Sequence, residues 1–336
     1  MSMALLIFAL MFHENKVLLF EINEKTPALN ETFLTVPNDA VFHQGKVYVA
    51  DDSYSILVYS NGVIRDRIGR RGEGPGEFKH WPHRLEVIDN TIVSTDYFKL
   101  TRNFFSPNGT YLRRESIDRA IIHGDKRFKK IPYLQALQQG HRYIELDTGT
   151  ELASLPDPTD EGYHLASSLI RCHQDRVYVI KRSGEIEIYS AKGEFLDLID
   201  VNLGRFTAEM QLNVVYKAFR THSQKTPWRR KIYALGLPIY DAAIEDGRFL
   251  WLLVSDEHKA LEKHDHRPEV SWLFKLDLQT HQFTWGHRLT HVVDRIRING
   301  EHLLFISSQD AFVQVYSRQG YDNLAAKGSI GGYSFK

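Results

Sequence analysis

Short apolar runs recur along the chain, and each is broken by a polar turn. One arrangement repeats: an apolar strand ends in an aromatic residue and a serine, and a turn containing glycine follows. It reads Val58-Tyr59-Ser60-Asn61-Gly62, Phe104-Phe105-Ser106-Pro107-Asn108-Gly109, Ile188-Tyr189-Ser190-Ala191-Lys192-Gly193 and Val315-Tyr316-Ser317-Arg318-Gln319-Gly320. Two variants carry Asp in place of Ser, at Glu145-Leu146-Asp147-Thr148-Gly149 and Lys275-Leu276-Asp277-Leu278-Gln279-Thr280. The physical logic is the same each time. A short polar side chain bonds the turn backbone, and Gly or Asn takes the left-handed angle of a hairpin.

These serines and aspartates stand at 60, 106, 147, 190, 277 and 317, at intervals of 46, 41, 43, 87 and 40. Four intervals have the length of one propeller blade, about 40–50 residues. Upstream of most of them lies a second apolar run, such as Lys46-Val47-Tyr48-Val49, Arg176-Val177-Tyr178-Val179-Ile180 or His302-Leu303-Leu304-Phe305-Ile306. Several do not alternate, which suits sheets covered on both faces. The spacing therefore predicts an all-β chain, a six-bladed β-propeller of four-stranded antiparallel blades. In the long interval, Met210, Val214, Val215, Ala218 and Phe219 recur at helical spacing, which predicts a helical insertion at about 206–237 between blades four and five. A blade hidden there would make seven. The expected organisation is an N-terminal apolar segment at 1–36 with a ring-closing strand at 17–22 or 32–36, a propeller at 37–320, and a loose tail rich in Gly and Ser at 321–336.

The stretch Arg67-Ile-Gly-Arg-Arg-Gly-Glu-Gly-Pro-Gly-Glu-Phe78 is too rich in Gly and Pro for a helix or a regular strand. It contains Gly-x-x-Gly-x-Gly, but Pro75 leads toward another strand rather than a helix, and no Gly-Lys-Ser/Thr follows. A phosphate cradle needs that helix N-terminus, so the stretch is predicted to be a turn joining two blades. The run Tyr48 to Phe78 resembles the linker repeat of NHL-like six-bladed propellers. The resemblance covers about 36–114 well and reaches more loosely to about 320. It implies that Asp51, Asp52 and Asp96, at the ends of second strands, tie the turns that follow. Some relatives bind RNA on a basic face, and others are lactonases or lyases with a metal on the channel axis.

Composition narrows the functional classes. Lys+Arg and Asp+Glu both total 42, which argues against a nucleic-acid partner. The single cysteine, Cys172, excludes an intrachain disulfide and a multi-cysteine zinc site. It is expected to be a small buried residue. The apolar stretch Ala4 to Phe12 is too short to span a bilayer. It reads either as a signal remnant, lacking a basic start and a clear cleavage site, or as a buried strand. Export is slightly favoured over a cytoplasmic location, and no transmembrane anchor is expected.

The candidates for a ligand face are Arg70 and Arg71 in the glycine-rich turn, His80 and His83 around Trp81-Pro82, and Asp96. The denser group His258, His264, Asp265 and His266 lies in a polar hairpin at 256–269 and reads as a solvated loop. Basic clusters stand at Arg65/Arg67/Arg70/Arg71, Lys126/Arg127/Lys129/Lys130 and Arg229/Arg230/Lys231. Gly-x-Ser-x-Gly and His-Glu-x-x-His are both absent from the sequence. The expected function is a non-enzymatic scaffold, without cofactor, that engages a protein, peptide or glycan through one face. One alternative is an enzyme with a divalent metal in the channel, held by inner-strand carboxylates such as Glu86 or Asp241. The other is RNA binding, with affinity falling steeply in salt.

Overall fold

The computed structural model describes residues 17–28, 32–96, 99, 101–116, 120–123, 126–130, 141–145, 151–154, 168–181, 185–201, 217–219, 232–234, 239–255, 271–326 and 332–333. In chain order, β1 is Leu18–Ile22, and β2–β5 are Pro37–His43, Lys46–Asp51, Ser55–Ser60 and Val63–Ile68. Strands β6–β9 are Arg84–Ile88, Thr91–Asp96, Thr101–Phe105 and Tyr111–Ser116. Strands β10–β13 are Ala120–His123, Lys126–Lys130, His141–Glu145 and Glu151–Ser154. Strands β14–β17 are Ser168–His173, Arg176–Lys181, Glu185–Ser190 and Phe195–Asp200. The short β18 (Lys217–Phe219) and β19 (Ile232–Ala234) precede β20–β23 at Ile239–Glu245, Phe249–Ser255, Ser271–Asp277 and Gln282–Arg288. Strands β24–β26 are Arg295–Asn299, His302–Ser307 and Phe312–Ser317, followed by helix α1 (Arg318–Ala326) and β27 (Gly332–Tyr333).

Five sheets are four-stranded antiparallel blades: β2–β5, β6–β9, β10–β13, β14–β17, and β24–β26 edged by β1. That count corrects the expectation of six, or seven, such blades. The remaining large sheet holds five strands, β20–β23 with β27, and β18–β19 is a separate two-stranded pair. The β18–β19 pair also corrects the helical insertion: Ala218 and Phe219, read as part of a helix, are in a strand. Phe219 is aromatic and Ile232 opposite it β-branched, types that favour strands; Met210, Val214 and Val215 lie outside the described residues. The one described helix, α1, falls partly in the segment expected to be loose.

Contacts divide the chain into two units, residues 1–119 with 285–336, and residues 120–284. In the first unit, sheet β2–β5 is covered on both faces. Val47, Val49 and Leu57 pack with Leu304, Ile306, Val313 and Val315. On the other face Tyr48, Ala50, Ile56 and Val58 pack with Leu85, Ile92 and Phe105. This is why β3 reads as an unbroken apolar run: every residue from Val47 to Ala50 is fully buried. In the second unit β14–β17 carries its own cluster of Ile170, Val177, Val179 and Tyr189, with half-buried Cys172 against it.

The repeated serine does what its chemistry predicts. Ser106 Oγ accepts from the Thr110 amide, and Ser190 Oγ from those of Lys192 and Glu194. Asp277 accepts from the Gln279 and Thr280 amides. Ser317 departs from the pattern. It accepts from the Gly320 amide and caps α1 instead of opening a hairpin. No hairpin is needed there, because β1 already pairs with the free edge of β26. Helix α1 is then tied down from β23. Trp285 Nε1 donates to Asp322 at 2.7 Å, and His287 Nε2 meets the buried Tyr321 hydroxyl at 2.6 Å.

Candidate functional site

The glycine-rich turn joins β5 to β6 and closes on itself. The Phe78 amide donates to the Arg70 carbonyl at 2.8 Å, and the Gly72 amide to the Phe78 carbonyl at 2.9 Å. The Gly74 amide donates to the Glu77 carboxylate, which also holds Arg70 at 2.7 Å. The Gly74 amide first, and then Arg70, keeps the Glu77 carboxyl below its ordinary pKa. These amides are spent internally, so the turn is not a phosphate cradle. Gly69 is required outright: its φ is +79°, and a Cβ would stand 2.4 Å from the Phe78 ring. Phe78 is buried and packs on Phe105, fixing the turn to the second blade.

Arg71 of that turn meets an aromatic group in the first unit, drawn from the β3–β4 turn and the segment before β6, called here the rim group. The Arg71 guanidinium sits over the Tyr54 ring, 4.9 Å from its centroid. Tyr54 meets Trp81 edge-on at 6.3 Å, and Trp81 lies 5.9 Å from the His83 ring. The His83 amide donates to the Thr95 carbonyl, which ties this segment to the end of β7. Burial lowers the His83 pKa; Asp96 and Asp52 oppose the shift, and Arg295 and His80 add to it. Tyr54 has a left-handed backbone, φ 62°, where a bulky side chain is unfavourable.

The sequence-predicted candidates divide over this rim. Arg71 and His83 belong to the group, and His80 lies within electrostatic range of His83. Arg70 is paired to Glu77 within the turn. Asp96 is buried and accepts from the Lys99 amide, so it acts as a turn tie. Asp51 does the same more fully, accepting from the Thr35, Val36 and Ser53 amides. Tyr54 was missed. Its signal was faint, a lone aromatic in a turn of small polar residues. Trp81 was visible only as the residue between two histidines.

The inner-strand carboxylates are ion-paired. Glu86 is held between Arg84 and Arg102, each at 3.1 Å. In the second unit Asp241 on β20 pairs with Arg171 on β14, whose Nε also donates to the Ala242 carbonyl at 2.6 Å. The first unit contains the same latch. Arg297 Nε on β24 pairs with buried Asp39 on β2 at 2.9 Å, and the second Asp39 oxygen accepts from the Leu85 amide. Among the described residues no group of three or more His, Cys, Asp or Glu is placed to hold a metal ion. The first basic cluster is likewise engaged: Arg65 donates to the Ser60 carbonyl and Arg67 to that of Ser53. The side chains of the other two basic clusters, and the 256–269 hairpin with its histidines, lie outside the described residues. No described helix is long and apolar enough to cross a membrane.

No protein-family model matches the chain, and no curated protein does. Solved structures do. A Bacteroides fragilis protein described provisionally as exported aligns over 88% of this chain and 93% of its own, at 10% identity and a TM-score of 0.51. The Neurospora crassa Pan2 WD40 domain aligns over 84% and 89%, at 9% identity and a TM-score of 0.44. The RRP9 WD40 repeats align over 87% and 99%, at 9% identity and 0.44. The first likeness, with the sheet topology, shows a β-propeller fold.

Proposed function

We propose that this propeller, of the NHL-like kind that the Tyr48–Phe78 stretch resembles, is a non-enzymatic binding scaffold. Its ligand, a protein, peptide or glycan segment, engages the rim group Arg71, Tyr54, Trp81 and His83. One observation carries the reading. Tyr54 occupies a left-handed turn position, and the matching residue before the third strand of the last blade is Ala311, with φ 50°. Both turns close with the same backbone angle, so the fold asks only for a residue that tolerates it. Any side chain there costs backbone energy of roughly 1–2 kcal/mol, and Ala311 bears that cost as Tyr54 does. What the tyrosine adds is a ring that Arg71 covers and that Trp81 meets edge-on. The counterpart meets the same angle with a methyl group, so the turn itself does not call for an aromatic ring, and that supports a functional use.

The chemistry fits a binding site. Aromatic rings with one cation and one imidazole offer a flat apolar surface with a polar edge, a make-up common in interface hot spots. The test is an array of immobilised peptides and glycans probed with the wild-type chain and with Trp81→Ala. The expected result is a set of ligands bound by the wild type and lost by Trp81→Ala, with the unfolding midpoint unchanged. Ligands bound equally by both chains would overturn the assignment.

A further inference from the structure

The last blade is built differently from the others, and the difference leaves a cavity. Its fourth strand, β1, comes from the far end of the chain, and α1 stands where the other blades turn from third strand to fourth. Residues of α1, β1, β25, β26 and the β23–β24 connection line a cavity of about 260 Å³. All of this lining belongs to the first unit. The volume falls just below the range of drug-sized sites, about 300–1,000 Å³, so it suits a compact molecule and not a chain segment.

One wall is aromatic. The Phe305 ring centroid lies 5.2 Å from that of Tyr316 and 5.3 Å from that of Tyr321, and the two tyrosines are 5.1 Å apart. Tyr321 meets both partners edge-on, at 86° and 78°, an arrangement that aromatic rings prefer. Val293 and Leu324 add aliphatic surface. The hydroxyls are already committed. Tyr321 is bonded to His287, which lies outside the lining, and Tyr316 donates to Gln314 Oε1 at 2.9 Å. Burial, and then the Glu21 charge, push the Tyr316 hydroxyl up to about 12, so it stays neutral.

The cation of the lining is Arg288, the exposed last residue of β23. Most other arginines of the first unit donate to a carboxylate or a carbonyl. Arg288 makes no hydrogen bond or ion pair among the described residues. No Asp or Glu stands in the lining to claim it. Glu21, whose charge reaches Tyr316, lies outside and is held by Gln314 and Asn23 at 2.7 and 2.6 Å.

We propose that this cavity binds a compact aromatic carboxylate, with its ring against Phe305, Tyr316 and Tyr321 and its carboxylate on the Arg288 guanidinium. Arginine offers paired donors that match a carboxylate. An apolar pocket with one placed charge fixes both the shape and the orientation of a small ligand. The site uses other elements than the rim group and does not rest on that reading.

The probe is naphthoate, in equilibrium dialysis against the full chain. Saturable binding of one equivalent is expected, with slowed hydrogen exchange in 288–293 and 318–326. Naphthamide keeps the rings and loses the charge, and should bind at least about tenfold more weakly. Decalin carboxylate keeps the charge and loses the aromatic faces, and should bind at least about threefold more weakly. Arg288→Gln should remove the advantage of naphthoate over naphthamide while keeping the wild-type urea midpoint. Leu324→Trp should fill the cavity and weaken all three probes; if it fails to fold, Arg288→Gln carries the test alone. Absence of saturable binding would overturn the proposal. So would equal affinity of the wild type for naphthoate and naphthamide, or naphthoate binding that Arg288→Gln leaves unchanged.

Discussion

The latches and the rim group are both built from charged and aromatic side chains between blades, yet one occurs twice and the other once. Arg297–Asp39 in the first unit and Arg171–Asp241 in the second use the same parts. In each, an arginine of one innermost strand reaches an aspartate of another, at a point where that strand's register shifts. In each, the arginine also donates to the carbonyl of its preceding residue. A device found in both units among the described residues answers a need of the fold. The Arg71–Tyr54–Trp81–His83 group has no second copy among the described residues. The backbone bonds of the glycine-rich turn close without it, although the Tyr54 ring also packs against the core of the first unit. The difference teaches where to look for function in a repeat protein: at what the repeat does not require.

The largest effect is expected where a latch is cut. Asp39→Ala removes the carboxylate that faces the Arg297 guanidinium and accepts from the Leu85 amide. Breaking a buried pair from one side costs about 3–5 kcal/mol. Urea midpoints should show that loss for Asp39→Ala, and a similar one for Asp241→Ala. If Asp39→Ala were neutral, the latch would not be structural and the contrast would fail.

The next effect is set by pH. Burial holds the His287 imidazole at about 4, against an ordinary 6.5. Between those values the unfolded chain binds the proton and the folded chain does not, so stability rises with pH across the window. Lowering the pH from about 6.5 to about 4 should therefore remove about 3 kcal/mol. The loss should appear as a slope in unfolding free energy that His287→Gln flattens. This buried contact under α1 belongs with the latches, since it fixes an element and faces no ligand.

Gly69→Ala tests the turn that carries Arg71. A methyl group would meet the Phe78 ring at a backbone angle that side chains resist, and a loss of about 2 kcal/mol is expected. Tyr54→Gly tests the rim group itself and should be the smallest change in stability, because relief of the left-handed angle offsets the packing its ring gives up against the first unit's core. It should nevertheless abolish ligand capture. Destabilisation by Tyr54→Gly in thermal unfolding would make the tyrosine a packing residue.

Much of the local structure was legible because it depends on neighbours in sequence. The polar residue that ties each turn, the left-handed glycine and the self-closing Arg67–Phe78 turn are all short-range chemistry. The latches were not legible in that way, because Asp39 and Arg297 lie at opposite ends of the chain. A trace existed in the similar runs Asp39-Ala40-Val41 and Asp241-Ala242-Ala243, each an acid within an apolar strand. The pairing of β18 with β19 was hidden by Val214, Val215, Ala218 and Phe219, whose spacing also fits a helix. Helix α1 was hidden because Ser317 repeats a turn signal. What changed its meaning was β1, which arrives from the other end of the sequence. Within the site, Arg71 and His83 stood out by type and position. Tyr54 did not, because nothing in the sequence announces a left-handed tyrosine.

The most direct measurement is the urea unfolding midpoint of the double variant Arg71→Ala/Trp81→Ala, set beside wild type and Asp39→Ala. Arg71 is exposed and Trp81 half-buried, so if the rim group serves a ligand and not the fold, the double variant should lose no more than about 2 kcal/mol, while Asp39→Ala loses about 3–5 kcal/mol. A double variant as unstable as Asp39→Ala would contradict this, and would make the rim group another part of the frame.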